Sequence, residues 1–416
     1  MTLEGVVVAT MSTSVFKSLH VWNRQARNWK IISIRSFVNR FFENLTIGYQ
    51  SVYISLLGAD PIQLGLVNSI SNISGSLIST PLGWIQDKFS LKNIFLSGVM
   101  LSMIVTALFG TATNWVMIIP AMLLYSIALI VGSCLTICDI SVKDEDRSTC
   151  KGVCDGLFQI PSLFAPLIAA FVITAFGGVS VKGIRPLYWI QFMGSLILFL
   201  ILIVSLTEIK RPHVRKSQGF LTDYKEVFQN GYGLKRWIMF SLVNIFILNM
   251  LTPFTLLYAY EEKGANQYIL GGMMTAGLLT IVILSPYFGT LADKIGRKKI
   301  AFLLEPFYLA SLLLLVFAPC SLFLLVSALL NGFNMLRSFV CFTPLQVELV
   351  PIEYRGRWRG FLGFLTGLIS IPAPIIGGLI WNTLGPSFLI LSPILIDLLL
   401  RMPLLSTIPE RKTHTE

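Results

Sequence analysis

A chain of 416 residues with 54% apolar and only 13% charged side chains has too little polar surface for a water-soluble globule, where about a quarter of residues carry charge. The net charge of +11 is spread over many short segments and not gathered on one face, which excludes a nucleic-acid-binding surface. Twelve membrane-crossing helices of about 20 residues need ~240 mostly apolar positions, close to what this composition supplies.

Residues 1–30 lack the basic, apolar, small-residue succession of a cleaved signal peptide. The short apolar run Val6–Met11 precedes the basic residues Lys17, Arg24, Arg27 and Lys30. This segment reads as a cytoplasmic leader, with Met11 as an alternative start. Twelve apolar runs follow. The first six are Ile31–Leu57, Ile62–Ile85, Leu91–Gly110, Trp115–Cys138, Val153–Phe176 and Leu187–Leu206. After a polar stretch come Trp237–Tyr260, Tyr268–Leu291, Ile300–Ala318, Leu322–Leu345, Phe361–Trp381 and Ser387–Leu405. Barrel strands alternate polar and apolar residues, and these runs do not.

The reading is an all-α polytopic membrane protein with twelve transmembrane helices. Its expected organisation is a six-helix bundle at 31–207, a cytoplasmic linker at 208–236, a second bundle at 237–406 and a tail at 407–416. Of the 32 Lys and Arg residues, 26 lie in the segments on one side of this topology or, for Arg35, in the first turn or so of the span that follows. The opposite loops hold Lys182, Arg185 and Lys263, and Arg40, Arg337 and Arg401 lie inside spans. The positive-inside rule then places both ends in the cytoplasm of a cell whose plasma membrane holds the chain.

The two halves repeat each other. At a shift of 206 residues, Gly58-Ala59-Asp60 falls on Gly264-Ala265-Asn266, Leu64-Gly65 on Leu270-Gly271, and Gly83 with Asp87-Lys88 on Gly289 with Asp293-Lys294. At a shift of 208, Glu145 and Arg147 meet Glu353 and Arg355, and Ala165-Pro166 meets Ala373-Pro374. A nearly constant offset across three helix junctions marks a duplication, so the bundles are expected to be pseudo-symmetric. A six-plus-six parallel repeat is one of the designs used by transporters.

The run from Gly289 through Asp293, Lys294, Gly296, Arg297 and Lys298 to Lys299 resembles the loop signature of the major facilitator superfamily. The first-half copy keeps Gly83, Asp87, Lys88 and Lys92 but has Ser90 and Leu91 where the pattern has Gly and a basic residue. Pro351-Ile-Glu353-Tyr-Arg355-Gly356-Arg357 resembles the family's loop after the tenth helix. The resemblance implies alternating access, with spans one, four, seven and ten lining a cavity and three, six, nine and twelve supporting it. Within the loops, Gly83 and Gly289 permit close helix approach, and Asp87 and Asp293 suit the N-terminus of a helix in the other half. Asp139 and Glu348 close the fourth and tenth spans and are placed to accept from Lys88 and Arg297. These residues, with Arg147 and Arg355, are the candidate gate.

Charges inside the hydrocarbon are costly and so mark candidate sites. In the first span Asn39, Glu43, Thr46, Gln50 and Tyr53 recur at helical spacing, giving a polar face, and Arg40 is positioned to pair with Glu43. The tenth span carries Ser327, Asn331, Asn334, Ser338 and Cys341, with Arg337 beside them; the seventh offers Asn244 and Asn249, and the fifth Gln159. Arg337 is expected either to grip an anionic group of the solute or to bond to carbonyls or an acid such as Glu43. Asp397 and Arg401, four apart, suggest a local ion pair. Glu305 belongs either to the gate or to the hydrated inner edge.

No phosphate-cradling loop, zinc-spaced cluster or nucleophile with its base occurs, so neither an enzyme nor a cofactor is expected. Cys134, Cys138, Cys150 and Cys154 suit reduced packing residues better than a metal site. The function expected is a monomeric secondary transporter of a small organic solute, proton-coupled through Glu43. The alternatives are an exporter of lipophilic drug-like compounds and a non-transporting receptor.

Overall fold

A computed structural model describes residues 24–132, 141–142, 150, 159–208, 228–229, 231–351 and 354–410, with side chains described at all of these except 79–88 and 356. Residues 1–23 of the leader, most of the linker, the loop residues Asp139 and Arg147, and the side chains at positions 83, 87 and 88 therefore lie outside the described residues.

Among the described residues every regular element is helical. Lipid offers no hydrogen bond to an exposed peptide group, so an apolar run closes its own ladder as a helix. Eight helices are long and apolar enough to cross a membrane, and Trp115–Val131 and Ile160–Ala175 are shorter apolar helices. Two further spans are more polar. The first runs as Arg27–Thr46, a 3-10 turn at Ile47–Tyr49, and Gln50–Leu56; the second is Pro61–Lys88. Together they make the twelve-helix fold. The first helix begins one turn before the apolar run, and the seventh begins at Leu234.

Polar residues between the spans start the next helix. Ser90, Asn114, Ser180 and Asn266 each accept a hydrogen bond from a backbone N–H two or three residues on, filling donors that a helix start leaves empty. Such caps permit the very short connections of this chain.

The duplication is visible in the packing. In the first half the contacts run second to fourth, fourth to third, third to sixth, sixth to first and first to fifth span. In the second half the same order holds, from eighth to tenth, ninth, twelfth, seventh and eleventh. The halves meet where the second span packs on the eleventh and the eighth on the fifth. At these seams small residues admit a neighbouring backbone. A side chain at Gly65 would overlap the Pro374 carbonyl, and one at Gly271 would overlap that of Pro166. These are the residues that the 206- and 208-residue shifts superpose.

The basic side of the molecule carries the Gly296 turn and most of the described basic residues, and the far side lies opposite. On the far side Ser55 donates to Glu261, Tyr49 to the Gln267 carbonyl, and Gln267 to Thr174. Deeper in, the Asn72 amide bridges to Asn249 and the Ser370 carbonyl, and Ser76 lies against Gly367. On the far side the two halves are thus joined by hydrogen bonds.

Candidate functional site

The polar face of the first span is built by its neighbours. Arg40 reaches the Gln159 amide oxygen at 3.5 Å, and Asn44 donates to Ser162 at 3.0 Å, so two turns are tied to the fifth span. Glu43 accepts from the Asn39 amide at 2.6 Å, one turn back. The ion pair expected between Arg40 and Glu43 is not formed. Asn39 satisfies the carboxylate along its own helix face, and Arg40 points to Gln159 instead. Gln50 contacts Met122 of the fourth span at 3.2 Å.

Tyr53 is not a cavity residue. It is buried, its hydroxyl donates to the Phe109 carbonyl at 2.9 Å, and its ring packs on Tyr188. The 3-10 turn at Ile47–Tyr49 is the reason. Three residues per turn instead of 3.6 rotate everything beyond it, so spacing counted from Glu43 no longer marks the same face.

The second half supplies Asn249, which donates to the Ser370 hydroxyl at 3.3 Å and accepts from Asn72 at 3.4 Å. Asn331 is half-buried on the tenth span. Beside the Arg40–Gln159 contact an apolar recess of about 420 Å³ opens between Phe37, Phe41 and Phe42 of the first span and Ile160 and Phe164 of the fifth.

At the basic side a single residue separates the eighth and ninth spans. Gly296 adopts φ +104°, a conformation that side chains disfavour. Arg297, immediately after it, bonds Glu348 at the end of the tenth span and Asp293 at 3.1 Å. Lys294 lies in the last turn of the eighth span, and Arg355 opens the eleventh. No described atom lies within 4 Å of a side chain placed at Gly289, so the close approach expected there is not among the described contacts.

The chain matches the Major Facilitator Superfamily over residues 32–283 and 239–416, both halves of the duplicated fold. It belongs to that superfamily. Sequence relatives include the multidrug resistance protein MdtG of Rahnella sp., 24% identical over 290 residues that make up 66% of this chain and 68% of that protein. The class H tetracycline resistance protein of Pasteurella multocida is 32% identical over 126 residues, 30% of each chain. In structure the chain is similar to the nucleoside transporter NupG, with a TM-score of 0.71 at 15% identity over 92% of this chain and 99% of that one. A bacterial homologue of the lysosomal transporter Spinster gives a TM-score of 0.63 at 14% identity, over 91% and 90% of the chains. These likenesses carry the fold. This chain is thus a membrane transporter of the superfamily.

Two features of this superfamily member were not visible as sites in its sequence. The first is a clasp repeated in both halves. Glu410, just after the twelfth span, accepts from the Arg297 and Lys298 N–H groups at the start of the ninth. The Lys298 ammonium returns to the Ser406 and Ile408 carbonyls. In the first half Glu208, just after the sixth span, accepts from Ser90 at the start of the third, and Lys92 returns to the Ile203 carbonyl. An acid at a helix N-terminus is favourable, and the recurrence of Glu three residues beyond spans six and twelve is its sequence signal.

The second is a buried charge network in the second half. Arg337 pairs with Glu305 of the ninth span, and Asn334 accepts from the same guanidinium at 2.6 Å. Arg401 reaches Glu305 at 3.1 Å, Asp397 at 2.6 Å and the Asn244 amide oxygen at 3.1 Å. The Tyr308 ring lies against both guanidiniums, 5.4 and 5.3 Å from their centres. Arg337, Arg401 and Asp397 are fully buried, and Glu305 nearly so. Arg337 therefore pairs inside its own half rather than with Glu43 or an open cavity, and Glu305 joins neither the gate nor the hydrated edge. Asn244 and Asn334 serve the same network.

Proposed function

We propose that this chain moves a small organic solute by alternating access, with the basic side in the cytoplasm, and that proton entry at Glu43 drives the cycle. The observation that carries the reading is the doubled arrangement itself. Two bundles of identical packing order touch along two symmetric seams, and a loop of paired charges lies at the basic side of the second. Alternating access requires two rigid halves that rock about a shared contact. Glu43 supports the coupling role because it is a half-buried carboxylate on the polar face of the first span, held by one amide and no cation. A protonated and an ionised Glu43 would favour different states, and a proton shifts the equilibrium only by that difference. The protein is read as a plasma-membrane monomer with both termini inside, acting without cofactor or enzymatic step.

The relatives named for multidrug and tetracycline resistance favour a second reading, export of lipophilic compounds. The recess between the first and fifth spans supports it, since its wholly apolar lining would take an apolar body. A thermal-shift screen across nucleosides, sugars, organic anions and lipophilic cations identifies the solute class, because a ligand that binds the folded state stabilises it by mass action. Flux of the hit is then measured in sealed vesicles with and without a pH gradient. Accumulation driven by the gradient in the native protein, and lost in Glu43→Gln while exchange persists, is the expected result. Gradient-driven accumulation by Glu43→Gln vesicles would remove Glu43 from the coupling role.

A further inference from the structure

Spans ten and twelve each contain a wide turn at the charge network. Residues Ser338–Phe342 and Asp397–Arg401 are π-helical. The closing bonds run from the Thr343 N–H to the Ser338 carbonyl and from the Met402 N–H to the Asp397 carbonyl. Both turns end two residues before a proline, Pro344 and Pro403. A proline removes one N–H and crowds the carbonyl four residues back, and slipping the ladder to the fifth residue relieves both. Such turns hold one residue more than an α-helix, so losing one rotates the segment beyond it by about 100°.

Each turn leads into a contact of the basic side. Beyond the first, the tenth span ends at Glu348, the partner of Arg297. Beyond the second, the twelfth span leads to Glu410, which caps the same Arg297 turn. The network thus sits directly above both connections to the gate loop.

Its hydrogen bonding is uneven. Both oxygens of Glu305 are engaged by the two arginines. Asp397 uses Oδ2 for Arg401, while its Oδ1 is buried without a partner among the described residues, as are the Tyr308 hydroxyl and the Nε atoms of Arg337 and Arg401. Asp397 is faced by Arg401 on its own span, Tyr308 from the ninth and Arg337 from the tenth; Glu305 and the Asn244 amide of the seventh reach Arg401, and Cys341 lies beside Arg337. Two positive and two negative charges leave the network neutral, with one carboxylate oxygen unfilled and the two guanidinium Nε–H groups not aimed at it. A bare carboxylate oxygen in hydrocarbon is costly, and a proton is the smallest group that fills it.

We propose that Asp397 is a proton-binding site whose occupancy sets the register of the tenth and twelfth spans and thereby the gate contacts of Arg297. Hydronium on the basic side gives up a proton to Oδ1 and leaves as water, so that one O–H bond breaks, one forms, and the carboxyl is neutralised. The Oδ2 bond to Arg401 loses its charge partner, and the network passes from neutral to one excess positive charge. That excess is unfavourable in the bilayer interior. It is relieved when Arg401, about 9 Å from the end of its span at 1.5 Å per residue, moves toward the basic side and its π turn closes. The inference rests on the transporter reading for its purpose, but its test requires no solute.

The test uses the full chain in nanodiscs, with nitroxides at Lys294 and Pro351 reporting the gate and infrared spectroscopy reporting protonated carboxyl. As pH falls, the native protein should gain a buried carboxylic-acid band, and the label distance should lengthen with the same midpoint. Asp397→Asn should lose that band and hold the long distance at every pH. Asp397→Glu, which keeps the carboxyl and more surely the fold, should keep the band with a shifted midpoint. A band that survives Asp397→Asn, a midpoint unmoved in Asp397→Glu, or a native label distance indifferent to pH would overturn the proposal. None of these readouts depends on flux, so a failure here is distinct from a failure to transport.

Discussion

Gly65 of the second span packs against the Pro374 carbonyl of the eleventh, and the duplicated pair, Gly271 and Pro166, makes the same contact between the eighth and fifth. The two bundles thus touch at two points related by the internal repeat, as a pivot requires. We predict that Gly65→Val and Gly271→Val each cost about 1–3 kcal/mol, the usual range for overpacking a tight contact. Thermal unfolding in detergent measures the cost, and flux should fall in both. Native stability and flux in both variants would show that the seams are loose.

The buried network predicts an asymmetry between removing one partner and removing both. Glu305→Ala leaves Arg337 and Arg401 with one carboxylate between them, a loss of about 3–5 kcal/mol when a buried pair is broken. The double variant Glu305→Leu, Arg337→Met removes one charge of each sign and should recover part of that loss. A double variant no better than the single one would show that packing, and not charge balance, holds these spans.

At the gate, Arg297 is the shared partner of Glu348 and Asp293. Asp293→Asn should slow flux strongly while leaving membrane insertion and melting temperature close to native, because Asp293 is mostly exposed and exposed pairs contribute only about 0–1 kcal/mol. Exchanging the charges in Arg297→Glu, Glu348→Arg should restore part of the flux lost in either single variant. Normal flux in Asp293→Asn would remove it from the gate.

Tyr53 was legible as polar and misleading as a site. Tyr53→Phe should lower stability by about 0.5–1.5 kcal/mol, the net value of one hydrogen bond, without changing solute affinity. An affinity loss with native stability would return Tyr53 to the cavity.

The apolar runs made the spans legible because lipid demands them, and Gly65, Gly271, Pro166 and Pro374 made the duplication legible because both seams need the same small residue. Asp397 and Arg401 were legible because four residues is one helical turn. Glu305 and Arg337 were not, since their pairing depends on two neighbouring spans lying at the right depth. The clasps of Glu208 and Glu410 were hidden for a different reason. Each acid lies beyond its span, where sequence reads only a polar tail, and its partner is the start of a helix more than a hundred residues earlier. The phase change at Ile47–Tyr49 escaped because nothing in a Thr-Ile-Gly-Tyr stretch announces a 3-10 turn inside an otherwise continuous helix.

The claim that the two halves exchange access is tested most directly by the distance between nitroxides at Ser55 and Glu261, which touch across the far side in this state. Distance distributions are recorded in nanodiscs across pH, with and without the hit from the thermal-shift screen. Two populations, one short and one longer, whose proportions move with pH or solute, are the predicted result. A single short population under every condition would contradict alternating access in this protein.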